Sequence, residues 1–124
     1  MDLEGNRSGF GTRQPERRAG PRYAVNEDSV LLFSGFGAQQ QARLVNLSQE
    51  GCRMRTDERV NARVRWPVEV FFKVKGVAFR FSGVLQWTDG RHLLGIQFVN
   101  MIPRHMVELA GVICGLEAAA AAGA

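Results

Sequence analysis

Three arginines within six residues form the first group in this chain that could do chemistry. Arg17, Arg18 and Arg22 are separated by an alanine, a glycine and a proline. A guanidinium is planar and always charged, forms two parallel hydrogen bonds with a phosphate or a guanine edge, and stacks on aromatic rings. The segment therefore predicts an extended loop that binds an anion or a base. Considered alone, it fits a solvated basic run equally well.

A second polar group lies at the end of a short apolar run, where residues 46–51 read Asn-Leu-Ser-Gln-Glu-Gly. In a strand, Asn46 and Ser48 would share the outer face, and Val45 and Leu47 would point to the core. The amide and the hydroxyl could then bind one ligand together. Gly51 would let the backbone turn without a side chain blocking the approach. Taken alone, this segment is an ordinary polar strand exit.

The residue types that serve most enzymes are scattered. His92 and His105 fall in different predicted elements, with no neighbouring ligand residue at metal-binding spacing. The sequence contains no GxSxG, HExxH or P-loop motif. Cys52 and Cys114 are far apart and lack a CxxC or CxxH pattern, which argues against a zinc knuckle or a disulfide framework. We expect a non-catalytic protein without a metal or a cofactor.

The composition is that of a single globular domain with an anionic partner. The 124 residues are 45% hydrophobic and 23% charged, with a formal net charge of +4. All but two of the 16 cationic side chains are arginine, which favours planar phosphate or base recognition. The first 18 residues lack the apolar core of a secretory signal. The apolar stretch at 109–124 is interrupted by Glu117 and is shorter than the roughly 20 residues that span a bilayer. We expect a cytoplasmic protein with no membrane partner.

The elements that must position these groups are mostly strands. Short runs rich in Val, Leu and Phe predict strands at 23–33, 41–48, 51–56, 68–74, 77–87 and 92–99. The turns at 75–76 and 89–90 are short enough for hairpins, so most neighbouring strands should be antiparallel. Apolar residues alternate along three consecutive strands and should form one inner face, which would include Trp87. This pattern predicts a mainly β fold, a small six-stranded antiparallel barrel.

After the strands, the apolar period becomes helical. Pro103 suits a first helical turn, and Met106, Leu109, Ile113 and Leu116 recur at helical spacing. We expect one helix at about 103–117 that covers the barrel, followed by an alanine-rich tail at 118–124. Residues 1–16 hold few sizeable apolar groups and should form a flexible arm, which leaves 17–117 as the folded domain.

Together, the arginine loop and the polar strand exit resemble the PilZ family of cyclic di-GMP receptors. The family pattern is RxxxR followed some 20 to 30 residues later by (D/N)xSxxG, and here these motifs run from Arg18 to Arg22 and from Asn46 to Gly51. The resemblance extends from about residue 16 to the C-terminal helix. It implies a PilZ-like six-stranded barrel, a receptor function and cyclic di-GMP as the ligand. Asn46 replaces the commoner Asp, and Cys52 replaces an aliphatic residue, but neither departure breaks the pattern.

The resemblance also implies roles for individual side chains. Arg18 and Arg22 would bind phosphates and guanines, Asn46 would hold the ligand or an arginine, and Ser48 would offer its hydroxyl to a guanine. Gly51 would keep the approach open.

Three further arginine and glutamine side chains are weaker candidates. Arg53 and Gln97 should point outward from their strands near the site. In the resembling family, an arginine at the position of Arg17 goes with two stacked ligand molecules. A solvent-exposed Arg17 is the alternative.

The functional prediction is a receptor whose ligand orders the arginine loop against the barrel and changes a surface that binds an unidentified protein. A small β-barrel that binds single-stranded RNA or DNA is one alternative, although no aromatic-rich outward strand is evident. A PilZ-like interaction domain that binds no nucleotide is another, although such domains usually lack one of the two motifs. We expect neither DNA nor RNA as a partner.

Overall fold

The computed structural model describes residues 21–123, so the predicted arm at 1–16 and both Arg17 and Arg18 lie outside the described residues. Within these residues, six strands precede a helix. They are β1 (Tyr23–Phe33), β2 (Ala38–Leu47), β3 (Gly51–Thr56), β4 (Pro67–Val74), β5 (Val77–Thr88), β6 (Leu93–Val99) and α1 (Pro103–Gly123). All strand pairs are antiparallel, and they close into a barrel in the order β1-β2-β3-β6-β5-β4. The predicted fold class is confirmed.

Every second residue along the strands points inward, and these side chains fill the barrel interior. Phe72, Phe79, Phe81 and Phe98 form one aromatic cluster, with ring centroids of Phe81 and Phe98 4.7 Å apart. Such aromatic contacts add to the stabilisation from burial itself. Because this core fixes which face of each strand is inside, it also fixes which side chains face outward.

The hairpin between β4 and β5 has the turn chemistry that its sequence predicts. Lys75 and Gly76 both have positive φ values, 54° and 79°. Glycine accepts this conformation at little cost, and two such residues form the tight turn that matches the twist of the flanking strands. The hairpin therefore holds β4 and β5 in the register that pairs Val74 with Val77.

The helix packs on the barrel by one face. Leu109, Val112 and Ile113 are buried, whereas Met106, which shares their helical spacing, is 54% exposed. The helix also continues beyond the predicted end at residue 117. The segment at 118–122 is all alanine, the residue with the highest helix propensity, and it extends the helix to Gly123 instead of forming a separate tail.

The length of α1 also corrects the argument that this segment is too short to span a bilayer. Its residues Pro103–Ala122 are long and apolar enough, by length and composition only, to cross a membrane. One such helix is not sufficient to identify a membrane segment, because a helix that packs on a protein core passes the same test.

Candidate binding site

The arginine motif meets the polar strand exit at the start of β1. Arg22 is exposed, and its Nη1 donates a hydrogen bond to Oδ1 of Asn46 at 3.3 Å. The strand register explains the contact, because the neighbouring Tyr23 pairs with Leu47 and Ala24 pairs with Asn46. The last arginine of the motif is thus attached to the second motif, 24 residues along the chain.

A β-bulge turns Asn46 outward. The register between β2 and β3 shifts between Leu44 and Asn46, so Val45 is the extra residue and is only half-buried. The prediction that Val45 points into the core is therefore wrong. Beyond the bulge, Asn46 lies opposite Arg53, which is exposed as the parity of β3 predicts.

Ser48 does not face outward as predicted. It is fully buried, and its Oγ accepts hydrogen bonds from the backbone N–H groups of Glu50 and Gly51 at 3.3 and 3.2 Å. The same hydroxyl lies 3.2 Å from the carbonyl oxygen of Gly51, to which it can donate. Strand parity failed because β2 ends at Leu47, and Ser48 belongs to the turn into β3. Its side chain fixes the shape of this turn.

Gly51 is required for close strand packing. A Cβ at this position would collide with the backbone carbonyl of Ile96 on β6. The structure thus gives Gly51 a role in the close approach of β3 and β6, and its expected role in keeping the approach open for a ligand stays a prediction. Its Cα partner on β6 is Gln97, which is exposed as predicted.

Trp87 is a candidate site residue that strand parity wrongly assigns to the core. A bulge in β5 between Leu85 and Trp87 reverses the strand parity, so Trp87 is 43% exposed instead of lying in the core. It pairs with Gly95, and a Cβ at that position would be in ordinary van der Waals contact with the indole, 3.6 Å from its Cε3. The Arg53 guanidinium carbon lies 5.2 Å from the centroid of the Trp87 ring. The sequence carries no signal for this orientation, because the bulge and the pairing with Gly95 appear only in the strand register.

These side chains form one surface, which we call the outer polar face: Arg22, Asn46, Arg53, Trp87 and Gln97. It offers two guanidinium groups, two amides and an aromatic ring, all of them at least partly exposed. Guanidinium groups and amides can bind phosphates and base edges, and the indole can stack on a base. The face therefore fits a planar, anionic ligand.

Neither a reactive thiol nor a metal site accompanies this face in the described part of the chain. Burial raises the pKa of the Cys52 thiol to about 12, although the charge of Arg22 opposes the shift, so Cys52 is not poised as a nucleophile. Within residues 21–123, no group of three or more His, Cys, Asp or Glu could hold a metal ion.

A pocket of about 420 Å³ lies between the beginning of β1 and α1, and Pro21 and Tyr23, the chain neighbours of Arg22, line it. The Tyr23 hydroxyl donates a hydrogen bond to Glu117 across this pocket at 3.0 Å. Desolvation, together with this bond and the negative charge of Glu117, raises the pKa of Tyr23. The neutral phenol thus connects the arginine-bearing end of β1 to the helix.

Comparisons with known proteins identify one family. A family model described as "PilZ domain" matches residues 16–113. No curated protein matches the sequence.

Three solved structures resemble the chain. The PilZ domain of CeSA from a cellulose-synthesizing bacterium has a TM-score of 0.62 at 13% identity, covering 79% of this chain and 99% of that one. The Bacillus subtilis inhibitor of motility (MotI/DgrA) has a TM-score of 0.60 at 8% identity, with 74% and 47% covered. YcgR of Escherichia coli, solved in complex with c-di-GMP, has a TM-score of 0.62 at 20% identity, with 82% and 46% covered. The chain spans about half the length of the last two proteins, and at these identities the likeness concerns the fold.

Proposed function

The chain belongs to the PilZ domain family, and from this premise we propose that it is a non-catalytic receptor module for cyclic di-GMP. The observation that carries the proposal is the hydrogen bond between Arg22 and Asn46, which joins the two motifs on one exposed face. The complex of YcgR with c-di-GMP supports the same ligand. We also propose the cytoplasm as the location of the protein.

Each side chain has a role that follows from its chemistry. Arg18 and Arg22 bind phosphates and guanine edges. Arg53, which lies over the Trp87 ring, adds a third guanidinium. A guanine can stack on the exposed Trp87 indole. Asn46 orients Arg22.

The remaining site residues act at the rim or beneath the surface. Gln97 offers an amide at the edge of the outer polar face. Ser48 acts through the turn that it holds, and Gly51 acts through the close contact of β3 with β6. Arg17 adds charge for a second ligand molecule.

The mechanism that we propose is a change of surface. The phosphates neutralise the repulsion between the arginines of the motif and order the segment before β1 against the barrel. The ordered segment then presents a new surface to a protein partner. Hydrogen exchange with and without cyclic di-GMP tests this step, because the backbone amides of residues 16–20 should gain protection in the complex. Equal protection in both states would exclude ordering.

Calorimetric titration with cyclic di-GMP and with a single-stranded oligonucleotide, each at two salt concentrations, tests the receptor function. We expect saturable binding of the dinucleotide and little affinity for the oligonucleotide. Single-stranded nucleic acids are bound by successive aromatic platforms, and within residues 21–123 the outer polar face has one aromatic side chain, Trp87. Tighter, strongly salt-dependent binding of the oligonucleotide would overturn the proposal.

A further inference from the structure

A groove of about 640 Å³ lies where β1 and β4 separate. The pairing between these strands ends at Ser29 and Phe72, and the earlier part of β1 has a strand partner only in β2 within residues 21–123. An unpaired strand edge presents backbone donors and acceptors that can pair with another chain. This edge lies beside the apolar side chains of the groove, which are Val30, Phe71, Phe72, Ala78 and Phe79.

A buried hydroxyl at the end of the pairing points to a missing partner. Ser29 is 4% exposed, lines the groove, and has an Oγ atom with no hydrogen-bond partner in the described part of the chain. A buried polar group without a partner is unfavourable, and the cost disappears when a ligand supplies the hydrogen bond. The groove therefore combines an apolar lining with one hydroxyl that lacks a hydrogen-bond partner in the described part of the chain.

The charges on the two walls have opposite signs. Glu27 and Asp28 lie on the β1 side, and Lys73 and Arg80 lie on the other side. Asp28 forms an ion pair with Arg43 at 3.1 Å, and Arg80 forms one with Glu69 at 3.2 Å. Within residues 21–123, Glu27 and Lys73 have no such ion pair. An occupant with both a basic and an acidic group complements these walls better than an anion does.

We propose that this groove binds an extended peptide segment of a partner protein as an added strand along β1. Its backbone pairs with the unpaired edge, one apolar side chain packs against Phe72 and Phe79, and a polar group reaches Ser29. Its basic and acidic side chains lie beside Glu27 and Lys73. Main-chain hydrogen bonds supply affinity in this mode of recognition, and pockets for alternate side chains supply specificity. The proposal does not depend on cyclic di-GMP.

A peptide titration followed by NMR of the full chain tests the proposal. The probe is the capped peptide Thr-Lys-Phe-Thr-Val-Glu-Thr, which places Phe and Val on one face and Lys and Glu on the other. We expect shifts at the backbone amides of Glu27, Asp28 and Lys73, with or without cyclic di-GMP. The same peptide N-methylated at alternate residues should not bind. Absence of shifts at millimolar peptide, or equal binding of the methylated peptide as expected for a simple apolar pocket, would overturn the proposal.

Two variants sharpen this test. Ala78→Trp fills the groove from an exposed position and should abolish binding while circular dichroism stays unchanged. Ser29→Ala removes the unpartnered hydroxyl, so it should raise the urea midpoint of the free protein and weaken peptide binding by about fivefold. A lower urea midpoint with unchanged affinity would mean that Ser29 serves the fold alone and would contradict its role in binding.

Discussion

Arg22 connects the loop motif to the barrel. Its removal should therefore weaken the binding of cyclic di-GMP without unfolding the protein. We expect Arg22→Ala to cost about 1.5–3 kcal/mol of binding free energy, the range for a hydrogen bond to a charged group, which is roughly a 10- to 150-fold loss of affinity. Calorimetry with cyclic di-GMP measures it. Arg55→Ala is the matched control, because Arg55 is also an exposed arginine but lies on β3 outside the outer polar face. An equal loss of affinity in both variants would contradict the assignment of Arg22 to the binding site.

Trp87 should contribute by stacking. Truncation to Ala is expected to cost about 1–3 kcal/mol, the range for an aromatic ring stacked on a base, whereas Trp87→Phe should retain part of the affinity. The ring is 43% exposed, so its surface is open to a base. Calorimetry on both variants measures the effect, and Trp66→Phe serves as the control. Wild-type affinity in Trp87→Ala would exclude the stacking role.

At the residue scale, the sequence is informative where residue type and motif spacing determine what a side chain can bind, as for Arg22 and Asn46. It failed for Ser48 and Trp87 because their orientation depends on where a strand ends and where a bulge lies. Both features arise from pairing with a neighbouring strand, which a single run of residues does not reveal.

At the scale of elements, the close approach of β3 and β6 fixes the distance across the outer polar face. We expect Gly51→Ala to destabilise the protein by about 1–3 kcal/mol, because the added Cβ meets the Ile96 backbone and a strand must shift. Urea unfolding measures this change. Gly35→Ala is the control, since its Cβ would have no atom within 4 Å. Equal stability of the two variants would show that the β3–β6 contact relaxes without cost.

The helix was predicted by its period but not by its length. Apolar spacing identified the face that contains Leu109 and Ile113, since burial against the barrel requires that spacing. The predicted end at residue 117 is wrong because the alanines that follow continue the helix instead of forming a separate tail. Local helix propensity therefore set the end of the helix, and packing against the barrel set which of its apolar residues are buried.

For the whole molecule, barrel closure followed from local patterns because six short alternating strands with one apolar face have few ways to bury it. The groove between β1 and β4 could not be predicted in this way. It arises where two strands separate, and Ser29 has the same inward parity as Leu31 and Phe33 in the core. Such a site becomes visible only once the register is known.

The number of ligands bound by the whole molecule depends on the balance of charge. Two stacked cyclic di-GMP molecules bring four phosphates together, and their repulsion must be offset by cations and stacking. Arg17 adds a guanidinium to those of Arg18, Arg22 and Arg53, and Trp87 adds an aromatic face. We therefore expect a calorimetric stoichiometry of two ligands per chain at ligand concentrations well above the dissociation constant. Arg17→Leu should shift this ratio towards one, and Arg55→Leu should leave it unchanged. A ratio of one for the unaltered protein would refute the second ligand without affecting the roles of Arg18 and Arg22.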